Sequence, residues 1–298
     1  MKVAVTGSSG LIGRALVRNL RGDGHTVLRL VRREPAGPDE VRWNPYEGVD
    51  GKALEGVDAV INLAGPSIGG RRWTKSYRKE LRDARIVGTG NLAQTLADLD
   101  AKPKVLISAS GMNFYGDTGD KQTTESDPPG AGFLAELAQD WEAAAAPAAA
   151  AGIRVVHPRS GHVLAKDGGL LGPLLPLFRL GLGGKLGNGR QWMSWISRDD
   201  HIAAIRFVID HDDITGPVNF AAPNPVTNAD FTKALGRALH RPTPFSVPPF
   251  ALRLVMDGLA DEGALIDLRI LPGRLSEAGF PFRHPDLDTA LRAVLAAR

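Results

Sequence analysis

Thr6-Gly7-Ser8-Ser9-Gly10-Leu11-Ile12-Gly13 decides how the rest of this chain is read. It lies between residues 2–5 (KVAV), a short apolar run fit for a buried strand, and residues 11–20, whose apolar positions recur at helical spacing. A strand that turns at once into a helix leaves the helix's first N–H groups unpaired, with the positive end of the dipole behind them. Phosphate fits there. Gly7 permits the tight turn, Gly10 lets a pyrophosphate approach the backbone, and Gly13 lets helix pack against strand; Thr6, Leu11 and Ile12 complete the bend. Among 35 glycines some triplets arise by chance, so position gives this one its meaning: it ends the first strand and opens a helix.

The bulk numbers narrow the class. At 298 residues the chain can bury a large core, and 43% hydrophobic with 23% charged residues is ordinary globular composition. No apolar run approaches the ~20 residues of a membrane span, and residues 1–6 go straight into a strand without a leader. The absence of cysteine excludes disulfides and thiolate chemistry and is compatible with a cytoplasmic home. A net charge of +3 is too mild to argue for nucleic acid. The histidines lack metal-ligand spacing, so no metal is expected.

Strand and helix alternate through the first 160 residues. Strands are expected at 25–31, 58–63, 104–108 and 153–158, with a long helix over 75–99 and an Ala-rich helix over 133–151 that Pro147 kinks. Alternation of this kind gives an α/β fold, a doubly wound parallel Rossmann sheet with helices on both faces. Residues 1–160 form the dinucleotide-binding domain in this reading, and 161–298 a smaller, mostly helical substrate-side and C-terminal region. Residues 168–189, rich in Gly, Leu and Pro, read as a long loop serving as a lid or substrate wall. Asp199 and Asp200 precede a helical run and read as its N-cap.

The residue that ends the second strand, about 20 positions past the last glycine, meets the adenosine ribose in dinucleotide folds. An acidic residue there would hold the 2′-hydroxyl of NAD; this chain has Arg32 and Arg33. Two guanidiniums beside a 2′-phosphate make charge-assisted contacts, so NADP(H) is the expected cofactor, against the plainer reading of a solvated strand end. Leu63, Ala64 and Gly65 end the next strand at the sheet's carboxyl edge, where small residues let backbone pass close to a cofactor. Glu80 and Arg85 are placed to reach the cofactor edge from the inner side of the following helix, and Ser108, Pro158 and Arg159 stand at later strand ends.

These residues resemble the extended short-chain dehydrogenase/reductases, the NAD-dependent epimerase/dehydratase superfamily. The resemblance rests on Thr6–Gly13, Asn62–Gly65 and Ser108-Ala-Ser-Gly-Met-Asn-Phe-Tyr-Gly116. Arg71-Arg72-Trp73, Asp140-Trp141-Glu142, Gly181-Leu-Gly-Gly184, Gly187-Asn-Gly-Arg-Gln-Trp192, Ser194-Trp-Ile196 and Pro225-Val-Thr-Asn228 make it closer to an atypical epimerase subgroup. The resemblance implies a catalytic Ser, matched best by Ser110, and a Tyr followed four residues later by Lys. That pair is missing: the tyrosine position holds Leu134 and the lysine position Ala138. Tyr115 is the remaining candidate donor, although at its ordinary pKa near 10 its ionisation at pH 7 would cost about 4 kcal/mol. The arginine that clamps a diphosphate in sugar-nucleotide members is replaced by Met193, and Trp192, Trp195 and Phe178 suggest a more apolar wall. Two functions remain open. One is an NADP(H)-dependent oxidoreductase or epimerase acting on a small, partly apolar carbonyl or alcohol, with Ser110 and Tyr115 catalytic. The other is a catalytically silent NADPH-binding sensor. A monomer or homodimer fits either.

Overall fold

The strand expected at residues 2–5 runs one residue further, as β1 (Lys2–Thr6), and passes through the glycine turn into α1 (Leu11–Gly22). The structure is a computed structural model and describes residues 1–296. It divides into two compact units. The first takes in Met1–Ser110, Leu137–Pro158 and Ile205–Pro217; the second takes in Gly111–Glu136, Arg159–Ala204 and the chain from Val218 onward.

After α1 come β2 (Thr26–Val31), β3 (Glu40–Asn44), β4 (Gly48–Val49), β5 (Ala59–Asn62), α2 (Lys75–Ala97), β6 (Val105–Ser108), β7 (Ser110–Gly111), α3 (Phe133–Ala143), α4 (Ala146–Ala150) and β8 (Arg154–Ser160), all in the first unit except residues 111, 133–136 and 159–160. Hydrogen bonds order the main sheet β8-β6-β5-β1-β2-β3-β4, with strand Gly216–Phe220 beyond β8. From β8 to β3 the pairings are parallel, and β4 runs antiparallel to β3. β5 and β6 (AVIN and VLIS) are buried at every position, as strands covered on both faces must be. One core packs Ala4, Leu28, Leu30, Val60 and Leu106 of the sheet against Leu92 and Leu96 of α2 and Ala148 of α4. At ~25 cal/mol per Å² of apolar surface, each such leucine contributes about 2 kcal/mol.

The single helix expected over 133–151 is two. Pro147 sits in the first turn of α4, where its missing N–H costs nothing. Extended backward as one helix, its ring would meet the carbonyl of Ala143, so α3 ends there.

The second unit holds β9 (His162–Ala165), β10 (Gly168–Gly169), α5 (Leu171–Arg179), β11 (Gly184–Leu186), β12 (Trp192–Met193), β13 (Trp195–Ser197), α6 (Arg198–Asp210), β14 (Gly216–Phe220), β15 (Val226–Thr227) and α7 (Asn228–Leu239). Then come β16 (Phe245–Val247), α8 (Pro249–Met256), a π-helical turn Ala260–Ala264, α9 (Gly273–Glu277) and α10 (Leu287–Ala296). α6 and β14 begin or end in the first unit. The stretch 168–189 is not a loop. α5 buries Leu171, Leu175 and Phe178 in a core shared with Leu164, Trp195, Phe231, Leu235 and Leu291. Gly and Pro density concealed that i, i+4, i+7 spacing. Nor do Asp199 and Asp200 cap α6. The Ser197 hydroxyl accepts from the Asp200 N–H at 3.1 Å, while the Asp200 carboxylate takes the N–H groups of Arg283 (2.9 Å) and His284 (3.0 Å), tying down the C-terminal segment.

Candidate active site

Gly7 has φ of 64°, in the left-handed region that favours glycine, and a Cβ there would lie 2.7 Å from the Leu63 carbonyl carbon. At Gly13 a Cβ would stand 2.2 Å from the Gly7 oxygen. Both glycines are required by the chain itself. Gly10 is different, since its Cβ would meet only the Gly7 oxygen, at 3.2 Å. Gly10 is also the N-cap of α1, with no side chain capping the helix and no acidic residue in its first turn. The bend thus keeps a close backbone approach open and its helix terminus positive, which fits a dinucleotide pyrophosphate.

Three strand ends stand level beside it, because Thr6 pairs with Asn62 in register and Asn62 with Ser108. Their side chains form one buried network. The Thr6 hydroxyl donates to Asn62 Oδ1 (2.7 Å) and accepts from the N–H groups of Leu63 (3.0 Å) and Ala64 (3.1 Å). The Asn62 amide donates to Thr89 Oγ1 (2.9 Å) and, more weakly, to Ser108 Oγ (3.5 Å); the Trp141 indole also donates to Thr89 (2.9 Å). Buried polar groups left unpaired cost about 1–3 kcal/mol each, so this network fixes the path of residues 63–65. Thr89 carries no motif that would single it out, and Trp141 is marked only as the middle of the Asp140-Trp141-Glu142 triplet.

The two arginines after β2 part company. Arg33 makes a bidentate pair with Glu40 (2.7 and 2.6 Å), whose buried carboxylate also meets Arg29 (2.5 Å) and the Ala36 N–H (2.7 Å). Arg33, then the Ala36 N–H, holds the Glu40 carboxyl down to about 2. Arg32 is exposed and makes no hydrogen bond or ion pair among the described residues. Glu80 is exposed and pairs with Arg71 at 3.4 Å. Arg85 is buried instead: it donates to the carbonyls of Pro66 (2.8 Å) and Leu81 (3.2 Å), lies 5.0 Å over the Trp141 ring, and abuts Gly65. Burial lowers its pKa to about 10, which leaves it charged at neutral pH.

Ser110 ends the first stretch of the first unit. Its hydroxyl donates to Glu142 Oε1 at 2.7 Å, and Glu142 lies in the last turn of α3. Sequence reasoning noted the Asp140-Trp141-Glu142 triplet without giving Glu142 a role. Tyr115 belongs to the second unit and is buried. Its hydroxyl donates to Asn219 Oδ1 (2.7 Å) and accepts from Arg159 Nη1 (2.9 Å), and the Arg159 guanidinium lies 3.3 Å over the Phe114 ring. Burial raises the Tyr115 pKa, and the nearby Arg159 charge only partly opposes it. Pro158 is buried at the end of the first unit's second stretch. Phe178, Met193 and Trp195 lie in the second unit's core. Among the described residues no group of His, Asp and Glu is arranged to hold a metal ion, and no helix is long and apolar enough to cross a membrane.

Comparison with known proteins places the chain in a family. The model of the NAD-dependent epimerase/dehydratase family matches residues 3–221, and a domain family of unknown function matches 247–294. An epimerase family protein of Mycobacterium leprae is 49% identical over 97% of this chain and 94% of its own length. The chloroplastic SDR39U1 homolog of Arabidopsis thaliana is 36% identical over 99% of this chain and 87% of its own length. The crystal structure of human epimerase family protein SDR39U1 with NADPH superposes with a TM-score of 0.90 at 31% identity, over 99% of each chain.

Proposed function

The chain belongs to the NAD-dependent epimerase/dehydratase family, and we propose that it is an NADP(H)-dependent oxidoreductase or epimerase of atypical type, acting on a small, partly apolar carbonyl or alcohol. The observation that carries this reading is the turn at Gly7–Gly13, where two glycines are needed by the fold and Gly10 is left for a ligand. A bound nicotinamide would supply hydride transfer. The first amides of α1 would face the pyrophosphate, and Arg32, unpartnered, would take the 2′-phosphate while Arg33 stays with Glu40. Residues 63–65 would pass along the cofactor, and Ser110 would orient the reacting oxygen. The human relative's NADPH supports the choice of NADP(H). Met193, where sugar-nucleotide enzymes carry a cation, favours a substrate without a diphosphate.

Calorimetry with NADPH and NADH tests the cofactor, and NADPH-linked turnover of a carbonyl panel tests the chemistry. Indifference to both dinucleotides would end this reading. A second reading, a module that holds NADPH without turning it over, draws on Tyr115, whose hydroxyl is committed on both sides. Saturable NADPH binding with no turnover, and altered hydrogen exchange over 168–189, would favour it.

A further inference from the structure

We propose that Glu142 stores and returns the proton of Ser110, so that this serine–glutamate pair performs the acid–base work of the site on a hydroxyl-bearing substrate. The proposal deepens the oxidoreductase reading and rests on it.

A serine hydroxyl has one hydrogen and two lone pairs. In Ser110 the hydrogen is given to Glu142 Oε1 at 2.7 Å, its only hydroxyl partner among the described residues. The oxygen therefore has only acceptor capacity to offer anything that arrives. A carbonyl oxygen, itself an acceptor, finds no donor there; an alcohol, which brings a proton, finds an acceptor. Once Glu142 is protonated the polarity of the pair reverses, and Ser110 can donate to a carbonyl. One pair of side chains thus serves both directions.

The step balances. The alcohol's O–H proton passes to Ser110 Oγ as the serine's own proton moves to Glu142 Oε1. The carbinol C–H bond breaks with its electron pair, a hydride leaves to the oxidised nicotinamide, and the C–O bond becomes C=O. Glu142 ends as a neutral acid, and in reduction it gives the proton back along the same path.

Other groups are poorly placed for this work. Tyr115 has spent its proton on Asn219 and its oxygen on Arg159. One turn before Glu142 on α3 stands Ala138, so that face of the helix carries no lysine. Two cations of α2 are engaged with other groups: Arg82 pairs with Asp140 of α3, and Arg85 is held by the Pro66 and Leu81 carbonyls and the Trp141 ring.

The test has two arms. In protein carrying ¹³Cδ-glutamate, the Glu142 resonance, assigned by its loss in Glu142→Gln, is expected to shift in Ser110→Ala and to stay put in Tyr115→Phe. In NADP⁺-linked oxidation of C4–C8 secondary alcohols, Glu142→Gln is expected to lower kcat ~10²- to 10³-fold with KM little changed, the usual size of a lost acid–base group. The rate of the parent protein should fall on acidification; that acidic limb should vanish in Glu142→Gln, and Glu142→Asp should restore activity to within about tenfold of the parent. A resonance indifferent to Ser110→Ala, or an acidic limb that survives Glu142→Gln, overturns the relay and leaves the oxidoreductase reading standing. Failure of the parent protein to oxidise any alcohol while binding NADP⁺ removes that reading and the relay with it.

Discussion

The strand ends of the first unit and the Tyr115 cluster of the second are both buried polar assemblies, yet they distribute their hydrogen bonds in opposite ways. Around Thr6, Asn62 and Ser108 the interior is satisfied, while Arg32, the uncapped start of α1 and the acceptor side of Ser110 retain unused capacity. Around Tyr115 the hydroxyl gives and receives one bond each, the Asn219 amide donates to the Leu271 carbonyl (2.9 Å), and Glu125 takes the Asn219 N–H (2.8 Å). Unspent capacity is what a ligand can use; spent capacity holds a fold.

The largest expected effect falls on the open region. Gly13→Ala forces a Cβ to within 2.2 Å of the Gly7 oxygen. Dinucleotide affinity should drop by about three orders of magnitude, ~4 kcal/mol by calorimetry. Survival of NADPH binding in this variant would break the comparison at its root.

The closed region should respond to acid instead. His201, hydrogen-bonded to Ser160 (2.9 Å) and set edge-on to Phe220, has its pKa lowered by burial to about 4, against an ordinary 6.5. It folds neutral, so its contribution is complete above pH 6.5 and is lost as pH falls from 6.5 towards 4. The loss should total roughly 3 kcal/mol. Melting temperature recorded from pH 8 to pH 4 would show it together with a like contribution from His162, whose pKa burial also lowers to about 4, so His201→Gln should lessen that slope and leave the part due to His162.

Next in size is Arg32→Ala, expected to weaken NADPH binding about ten- to hundredfold, the loss of one charge-assisted contact, while sparing NADH. Arg33→Ala should matter less for the ratio of the two affinities. Competitive titration of both cofactors against each variant sharpens the contrast, and equal effects would put Arg33 on the phosphate too.

Tyr115→Phe should have the smallest effect, about 1 kcal/mol of stability in chemical denaturation for a lost hydrogen-bonded hydroxyl, with NADPH affinity unchanged. Abolished turnover in Tyr115→Phe alongside an unaffected Ser110→Ala would invert the roles assigned to the two regions.

Local chemistry made most of the first unit legible. The glycine turn and the strands at 25–31, 58–63, 104–108 and 153–158 are short-range signals, and each appears within two residues of its expected bounds. What the sequence concealed depends on distant partners. Glu40 lies seven residues from Arg33 but on the next strand, and nothing in EVRWN marks its carboxylate as the reason Arg33 is occupied. Thr89 of α2 becomes a shared acceptor only because β5 and α3 bring Asn62 and Trp141 to it. α5 was hidden for another reason: a helix carrying Pro173 and Pro176 and bordered by glycines has the composition of a loop, and tertiary burial of Leu171, Leu175 and Phe178 overrides that.

Glu40 has a consequence for how discrimination between the two nicotinamide dinucleotides should vary with acidity. Its carboxyl stays ionised down to about pH 2, so the Arg33–Glu40 brace beneath the loop keeps its charge through any mildly acidic buffer. A phosphate monoester, by contrast, gives up its second negative charge near pH 6. Preference for the phosphorylated dinucleotide should therefore fade below about pH 6 through protonation of the ligand, against a protein surface whose own charge at this spot does not change.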